Sequence, residues 1–329
     1  MYGISSLYGD CVKKILCVLT VFGLLLLLFS HPAVIASGCS IGLSLWYTAV
    51  LPSLLPFMIL SNLLTRTGMF HYLNRIYAPA LSRIFRISEE GCYAVLLGFL
   101  CGFPMGAKVI ADLVREKHIS SEEGTYLLGF CNNVSPAFFL NYVCLSRLGY
   151  ASVPWRFVLF FYLLPVCYGW VTRPFYRFDL TDSRVHSTKK QASMHRLDFP
   201  MLDACIMDGF STITRLGGYI MLFTILAQFL KLLPLSSFAL AFLGGLLEIS
   251  SGIDAIAAIK GLTSLGQTAW IGAVSAFGGL CILAQTKSVL EETSLSVTTW
   301  LAGRIILALL LFLLVQVPAL RAVILPGCC

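Results

Sequence analysis

An apolar stretch of the chain, GFLCGFPMGAKVIADLVREK at residues 98–117, is interrupted just before two ionisable side chains. The glycine and proline residues at 102–106 are poorly compatible with a continuous helix, and Lys108 and Asp112 follow, one helical turn apart. An ionisable side chain in such apolar surroundings is costly and is usually functional. Lys108 is therefore a candidate contact for an anionic ligand. Two other interpretations stay open: Lys108 neutralises Asp112, or it extends to the membrane surface.

A second interruption, FCNNVSPAFF at residues 130–139, carries Asn132, Asn133 and Ser135 ahead of Pro136. These side chains either satisfy only the backbone groups that the proline leaves free, or coordinate a ligand as well. Both interpretations predict that they lie at a break in a helix that crosses the membrane.

Two further interruptions follow in the second half of the chain. Glu248 and Asp254 flank the break in LLEISSG at residues 246–252, and Ser275 precedes a pair of glycines. The two acidic residues either cap a helix or form a site for a coupling cation, sodium or a proton. Gln285 is a weaker polar candidate. The predicted substrate contacts are Gly102, Pro104, Gly106, Lys108, Asn132, Asn133, Ser135 and Ser275, and the predicted coupling-ion residues are Glu248 and Asp254.

Composition indicates the class of protein that contains these interruptions. Of the 329 residues, 58% are hydrophobic and 12% are charged, whereas a soluble domain has about 25% charged residues. Apolar stretches long enough to cross a hydrocarbon layer of about 30 Å recur from end to end. The net charge of +7 comes from basic residues in short loops, which is typical of membrane topology and not of nucleic-acid binding. The chain is predicted to be an all-α polytopic membrane protein.

The sequence has no pattern typical of a metal site. Its 12 cysteines include no Cys-x-x-Cys pair, and most lie in apolar runs, where cysteine behaves as a small hydrophobic residue. The zinc-protease pattern His-Glu-x-x-His and the phosphate-binding pattern Gly-x-x-x-x-Gly-Lys are also absent. We therefore expect no enzymatic activity, no cofactor and no bound metal.

The apolar stretches predict seven spanning helices, the first of them uncleaved, and one helix at the membrane surface. The spanning helices are expected at residues 15–37, 44–65, 122–146, 155–172, 206–232, 263–287 and 297–318. Residues 70–87 alternate arginines with apolar residues at near-helical spacing, which is typical of an interfacial helix. Arg215 and Arg304 lie near predicted helix ends, so both are expected to extend to the surface.

The two halves of the chain resemble each other. LLGFLCGFPMGAKVIADL from residue 96 aligns with AFLGGLLEISSGIDAIAAI from residue 241. The alignment pairs Gly98 with Gly244, Gly106 with Gly252, and Lys108 with Asp254. Each half has an apolar segment, a segment broken at its centre, a short polar turn, a second broken segment and a final helix.

The distribution of Lys and Arg indicates how the broken segments lie. If residues 91–118 crossed the membrane once, the basic loop 173–205 would lie outside, against the positive-inside rule. If they enter and return instead, that loop and most basic residues of the first half lie inside. By the same reasoning, residues 237–261 form a hairpin that enters from the other face. The halves then have opposite orientations, which is the inverted-repeat arrangement of secondary transporters.

Three motifs together resemble those of the sporulation integral membrane proteins of the YlbJ type: CGFPMGAKVIADL (101–113), FCNNVSPAFF (130–139) and LLEISSG (246–252). Those proteins belong to the nucleoside-recognition, or Gate, domain group, which is related in fold to concentrative nucleoside transporters and to the gate regions of ferrous iron transporters. The resemblance covers roughly residues 40–318. It implies a bacterial endospore former, expression during sporulation, and a role in delivering dipicolinic acid toward the spore.

The resemblance and the repeat lead us to expect five parts in the chain. They are an N-terminal transmembrane helix (1–43), a first Gate-type repeat (44–172, with hairpin 91–118 and broken helix 122–146), a basic cytoplasmic loop (173–205), a second inverted repeat (206–318, with hairpin 237–261 and broken helix 263–287) and a C-terminal tail (319–329).

The expected function is transport of a small organic anion, dipicolinic acid, during endospore formation. The protein is expected in the bacterial cell membrane, and in the membrane around the forespore if the resemblance holds. Proton or sodium coupling and contact with membrane lipid are expected, and nucleic-acid binding is not. Two alternatives stay open: a non-transporting membrane scaffold or ligand-binding protein in spore assembly, and a transporter of a nucleoside-like solute. The polar hairpin motif of the nucleoside transporters is not evident here, which weighs against a nucleoside.

Overall fold

The computed structural model describes residues 29–178 and 198–324, together with residues 15, 18, 19, 22, 23 and 26. The regular structure of this part of the chain is helical, as predicted. In chain order the α-helices are α1 Pro32–Leu45, α2 Leu51–Thr67, α3 Phe70–Phe85, α4 Glu89–Cys101, α5 Met105–Arg115, α6 Ser121–Cys131, α7 Trp155–Thr172, α8 Phe199–Leu230, α9 Ser237–Leu247, α10 Ile249–Ala257, α11 Ser264–Phe277, α12 Gly279–Val289, α13 Val297–Gln316 and α14 Pro318–Ile324. Two π-helical segments, Trp46–Val50 and Phe138–Arg147, complete the regular structure together with a 3-10 turn at Arg173–Phe175.

Five of the helical segments in the described residues are long and apolar enough to cross a membrane. They are Pro32–Val50, Trp155–Phe175, Phe199–Leu230, Ser264–Val289 and Val297–Gln316. This pattern confirms the predicted class, an all-α chain with several membrane spans.

The predicted boundary between the first two helices is wrong. The sequence predicts separate helices at 15–37 and 44–65, yet α1, the π-helical segment Trp46–Val50 and α2 form one continuous helical run. That run begins at Pro32, because proline is favoured in the first turn of a helix. The described residues between 15 and 30 are helical as well, and His31 is not.

The small residues between the two predicted helices mark a close contact between α1 and α8. A Cβ atom at Gly38 would lie 2.7 Å from the Cα of Ile225, and one at Gly42 would lie 2.8 Å from the Cα of Met221. Glycines four positions apart allow helices in a membrane to approach this closely. The same segment, GCSIG, matches the Gly-x-Ser-x-Gly spacing of a hydrolase nucleophile turn, but it lies inside α1 and not at a strand-to-helix turn.

The loop predicted at 173–205 ends earlier than expected. Helix α8 begins at Phe199, not at residue 206, because the Asp198 side chain accepts a hydrogen bond from the backbone N–H of Met201 at 3.0 Å and Pro200 follows in the first turn. The remaining residues 179–197 of that loop lie outside the described residues. The predicted C-terminal tail, 319–329, likewise contains most of α14, while its last five residues are outside the described part.

Both predicted hairpins are pairs of helices that pack against each other. Helices α4 and α5 are separated at residues 102–104, and α9 and α10 meet at Glu248. Each pair crosses at glycine: a Cβ atom at Gly106 would lie 3.1 Å from the Cα of Gly98, and one at Gly252 would overlap the backbone of Gly245. Gly106 and Gly252, which the repeat alignment pairs, are therefore both crossing points, although Gly252 packs most closely on Gly245 and not on Gly244, the residue aligned with Gly98. Entry of the hairpins from opposite membrane faces stays a prediction.

The second broken segment of each half is also present. Helix α6 ends at Cys131, residues 132–135 are not helical, and the chain then continues through the π-helical segment Phe138–Arg147. Helices α11 and α12 are joined at Gly278 and Gly279, whose φ angles of 87° and 83° glycine adopts without a steric penalty. Each half of the described chain therefore contains a second broken segment, and the inverted repeat itself stays a prediction.

Candidate solute-binding site

The four interruptions meet inside the protein. A Cβ atom at Gly102 would lie 2.6 Å from the Cβ of Ser135, so the first break packs on the second. A Cβ atom at Gly279 would lie 3.2 Å from the carbonyl oxygen of Leu247, so the fourth break packs on the third. The ring of Phe103, in the first break, packs against the fourth break and joins the two pairs.

A cavity of about 400 Å³ lies where the breaks meet. Residues from all four broken segments line it, and its polar lining consists of hydroxyl, amide and carboxyl groups. The polar lining residues are Thr48, Ser135, Asn141, Tyr142, Glu248, Ser250 and Gln285. Among the described residues, Glu248 is the one charged group in this lining, and no Lys or Arg contributes to it. The volume and the mixture of polar and apolar walls are typical of a site for one small molecule.

Glu248 is buried and caps helix α10. Its Oε1 accepts a hydrogen bond from the N–H of Ser250 at 3.0 Å, and its Oε2 accepts one from the N–H of Ser251 at 2.7 Å. The capping interpretation is therefore correct, and the same carboxylate also faces the cavity. Each carboxylate oxygen has a second lone pair, so the cap leaves acceptor capacity for a cation.

Lys108 lies in an ion cluster and not in the cavity lining. Its side chain is 6% exposed, and Nζ lies 2.7 Å from Asn62 Oδ1, 2.8 Å from Asp112 Oδ2 and 3.5 Å from Asp208 Oδ2. These three acceptors match the three donors of an ammonium group. The geometry favours the interpretation in which Lys108 neutralises Asp112, with Asp208 as a further partner.

Asn132 joins three of the broken elements. Its Oδ1 accepts a hydrogen bond from the N–H of Ala107 at 3.3 Å, and its Nδ2 donates to Thr286 Oγ1 at 3.2 Å. Gly106 packs against the same residue, since a Cβ atom there would lie 3.0 Å from the Cα of Asn132. The oxygen and the nitrogen of this side-chain amide therefore both hold the breaks together.

Arg304 is buried, and the prediction that it extends to the surface is wrong. It is 1% exposed, its Nη1 donates to Asn133 Oδ1 at 2.6 Å, and its Nη2 donates to the carbonyl oxygen of Gly129 at 3.2 Å. The adjacent Gly303 lets α13 approach α6, since a Cβ atom there would lie 2.8 Å from the same carbonyl oxygen. Arg215, in contrast, is exposed and lies in the middle of α8, so its extension to the membrane surface stays a prediction.

Two other predicted residues lie away from the cavity lining. Asp254 is exposed and accepts from Arg147 Nε and from the Tyr142 hydroxyl, each at 2.6 Å. Ser275 is fully buried, and its hydroxyl donates to the carbonyl oxygen of Ile271 in its own helix at 2.7 Å. Of the predicted site residues, the cavity lining thus includes Ser135 and Glu248.

The chain is similar to the sporulation integral membrane protein YlbJ of Bacillus subtilis (strain 168). The two are 26% identical over 310 residues, which cover 84% of this chain and 76% of that protein. The resemblance to the YlbJ type is confirmed. No family model and no solved structure matches the chain. The Gate-domain relationship therefore stays a prediction, whereas the YlbJ similarity and the five apolar spans identify an integral membrane protein.

Sequence reasoning missed several residues that shape the site. Phe103 and Tyr142 line the cavity, and Arg304 holds the second break through Asn133. A signal for Arg304 is present in the sequence: the glycine before it, well inside an apolar run, indicates a close helix contact that would bury the arginine.

Proposed function

We propose that this protein moves a small solute across a membrane during endospore formation, and that the solute occupies the cavity between the four breaks. The observation that carries the proposal is the meeting of all four breaks at one cavity of about 400 Å³. Non-helical backbone at membrane depth is tolerated where it is buried in protein or lines a cavity. Transporters build their sites from such discontinuous helices, because backbone groups freed at the breaks can bind a solute.

The proposed solute is a small organic anion, and dipicolinic acid is the first to test. The similarity to a sporulation protein supports the choice, and the cavity has room for one small ring compound. The described lining carries the carboxylate of Glu248 and no basic side chain. Because unpaired buried charges are costly, two more carboxylates would require a compensating cation. A sodium ion or proton at Glu248 would supply part of that charge, so coupling to a cation belongs to the proposal.

The lining favours a neutral solute as the second candidate. Amide and hydroxyl groups at Asn141, Gln285 and Tyr142 suit a nucleoside-like molecule, which offers donors and acceptors without charge. A protein that binds such a solute without moving it is the remaining alternative. The three candidates differ in what crosses the membrane, so a flux measurement separates them.

The test uses the purified full-length protein in proteoliposomes, with empty liposomes as the blank. Dipicolinate and uridine are offered separately, with and without inward sodium and proton gradients. Dipicolinate uptake that a cation gradient accelerates supports the first proposal. Uptake of uridine alone supports the neutral solute, and binding of either compound without uptake supports the non-transporting alternative.

Two glutamine variants test whether the transported solute occupies the cavity. Gln285 lines the cavity, whereas Gln316 is exposed at the end of α13. Gln285→Leu removes an amide from the lining. We expect uptake to fall by about tenfold, because one hydrogen bond of about 1.4 kcal/mol is lost. The control variant Gln316→Leu should leave uptake unchanged. Equal uptake in both variants would mean that the solute does not use this cavity.

A further inference from the structure

Helix α13 carries two buried N–H groups that have no acceptor in the described structure. They are Nε1 of Trp300 and Nε of Arg304, and their side chains are 0% and 1% exposed. The residues are four positions apart, so both side chains lie on one face of the helix. A buried donor without an acceptor is destabilising, and more so when it belongs to a charged group.

Arg304 also has no anionic partner among the described residues. The partners of its two Nη atoms are the Asn133 side-chain oxygen and the carbonyl oxygen of Gly129, which are both neutral. No described carboxylate lies within ion-pair distance of the guanidinium. By contrast, Lys108 and Arg147 each have a carboxylate partner. Arg304 therefore differs from Lys108, the other buried cation of the described residues, because it has no carboxylate beside it.

Phe103 lies beside this face of α13 and also lines the cavity. Its ring centroid lies 6.0 Å from Cζ of Arg304 and 6.3 Å from the ring centroid of Trp300, in edge-to-face geometry with the latter. The same phenylalanine lines the 400 Å³ cavity. A small void of about 10 Å³ also adjoins Arg304, and Val134 lines both spaces. Phe103 is thus a neighbour of both donor residues and of the cavity.

We propose that Trp300 Nε1 and Arg304 Nε form a subsite for a carboxylate group of the solute, and that it opens when the Phe103 ring moves aside. The subsite rests on the proposed transport function and assigns the anion specificity of that function to α13. A guanidinium pairs strongly with a carboxylate through charge-assisted hydrogen bonds, and an indole N–H is a donor only. A bound carboxylate would supply both missing acceptors and the missing negative charge. The solute class is therefore a small organic acid and not a neutral nucleoside.

The test measures dipicolinate binding to the purified full-length protein by isothermal titration calorimetry. The comparison ligand is the dicarboxamide of the same pyridine ring, which keeps shape and loses both charges. Arg304→Gln removes the cation and should weaken dipicolinate binding by about 10- to 100-fold. Trp300→Phe keeps an aromatic ring and removes one N–H, and should weaken binding by about 3- to 10-fold. The control Arg215→Gln removes an exposed arginine from α8 and should leave binding within about twofold.

Each result decides the proposal. Wild-type protein that binds the dicarboxamide as tightly as dipicolinate, or that binds neither, overturns the carboxylate subsite. Unchanged dipicolinate binding in Trp300→Phe overturns it as well, and this variant decides alone if Arg304→Gln is not monodisperse on size exclusion. Dipicolinate binding that depends on both residues, in a protein without flux, supports the subsite and refutes transport. Flux with unchanged binding in both variants refutes the subsite and leaves transport standing.

Discussion

Replacing Lys108 by Met decides between a structural role and a solute-binding role for this lysine. Its Nζ contacts Asn62, Asp112 and Asp208, and the residue does not line the cavity. Methionine keeps most of the side-chain length and all of its apolar character, but it removes the charge. We therefore expect the variant to lose stability without losing affinity for the solute.

The size of the loss follows from the partners that remain. Asp112 keeps an ion pair with Arg115 at 2.6 Å, and Asp208 keeps an ion pair with Arg66 at 3.8 Å, so each carboxylate retains a basic partner. The Asp208 side chain is 40% exposed, so its pair with Lys108 adds little. The main losses are two charge-assisted hydrogen bonds of Nζ, to Asp112 Oδ2 at 2.8 Å and to Asn62 Oδ1 at 2.7 Å. Because Asp112 keeps Arg115 as a partner, the free energy of unfolding should fall by about 2–5 kcal/mol.

Two assays check this expectation. Unfolding by sodium dodecyl sulfate in mixed micelles, followed by circular dichroism, gives the change in stability, and uptake into proteoliposomes gives KM. Lys287→Met, which removes an exposed lysine from α12, is the matched control and should alter neither. A tenfold rise in KM at unchanged stability would refute the structural reasoning, and it would support direct contact of Lys108 with the anion.

Three further predictions concern the hairpins and their surroundings. Gly252→Ala should destabilise the protein by about 1–3 kcal/mol, because the new Cβ overlaps the backbone of Gly245. Gly244→Ala, whose Cβ would lie 3.8 Å from the nearest atom, should cost little in the same unfolding assay. Asp254→Asn breaks an exposed ion pair and should change stability by less than about 1 kcal/mol; a larger loss would show that the pair is protected from solvent. Single cysteines at positions 117 and 185, on a cysteine-free background, should be labelled from the same side of the membrane, and labelling from opposite sides would exclude the re-entrant hairpin.

The breaks were predictable because their signals are local. Glycine and proline act on their own turn of backbone, so CGFP, LLEISSG and the Gly278–Gly279 pair each predict an interruption near the place where the structure has one. The start of α8 was predictable on the same grounds, since Asp198 and Pro200 form a recognisable helix start. The predicted start at residue 206 was wrong because it rests on the apolar run alone, which begins after the first turns of the helix.

The partners of the buried charges were not predictable from one sequence. Lys108 bonds to Asn62, 46 positions away, and Arg304 bonds to Asn133, 171 positions away. Such contacts depend on which helices are neighbours, and no local pattern contains that information. The same limit explains the predicted gap between helices at residues 38–43, because small residues are compatible with a turn and with a close helix crossing alike until the neighbouring helix is known.

The repeat alignment pairs Lys108 with Asp254, two side chains of opposite charge. In the structure the two positions nevertheless make the same kind of contact. Each residue lies on the second helix of its hairpin and ties that helix to a neighbouring element. Lys108 reaches α2 and α8, whereas Asp254 reaches Arg147 in the π-helical segment. The two positions share an anchoring role, which either sign of charge can fill if the neighbour is complementary. The charges that can meet a solute must therefore be sought elsewhere, at Glu248 in the third break and at Arg304 beside Phe103.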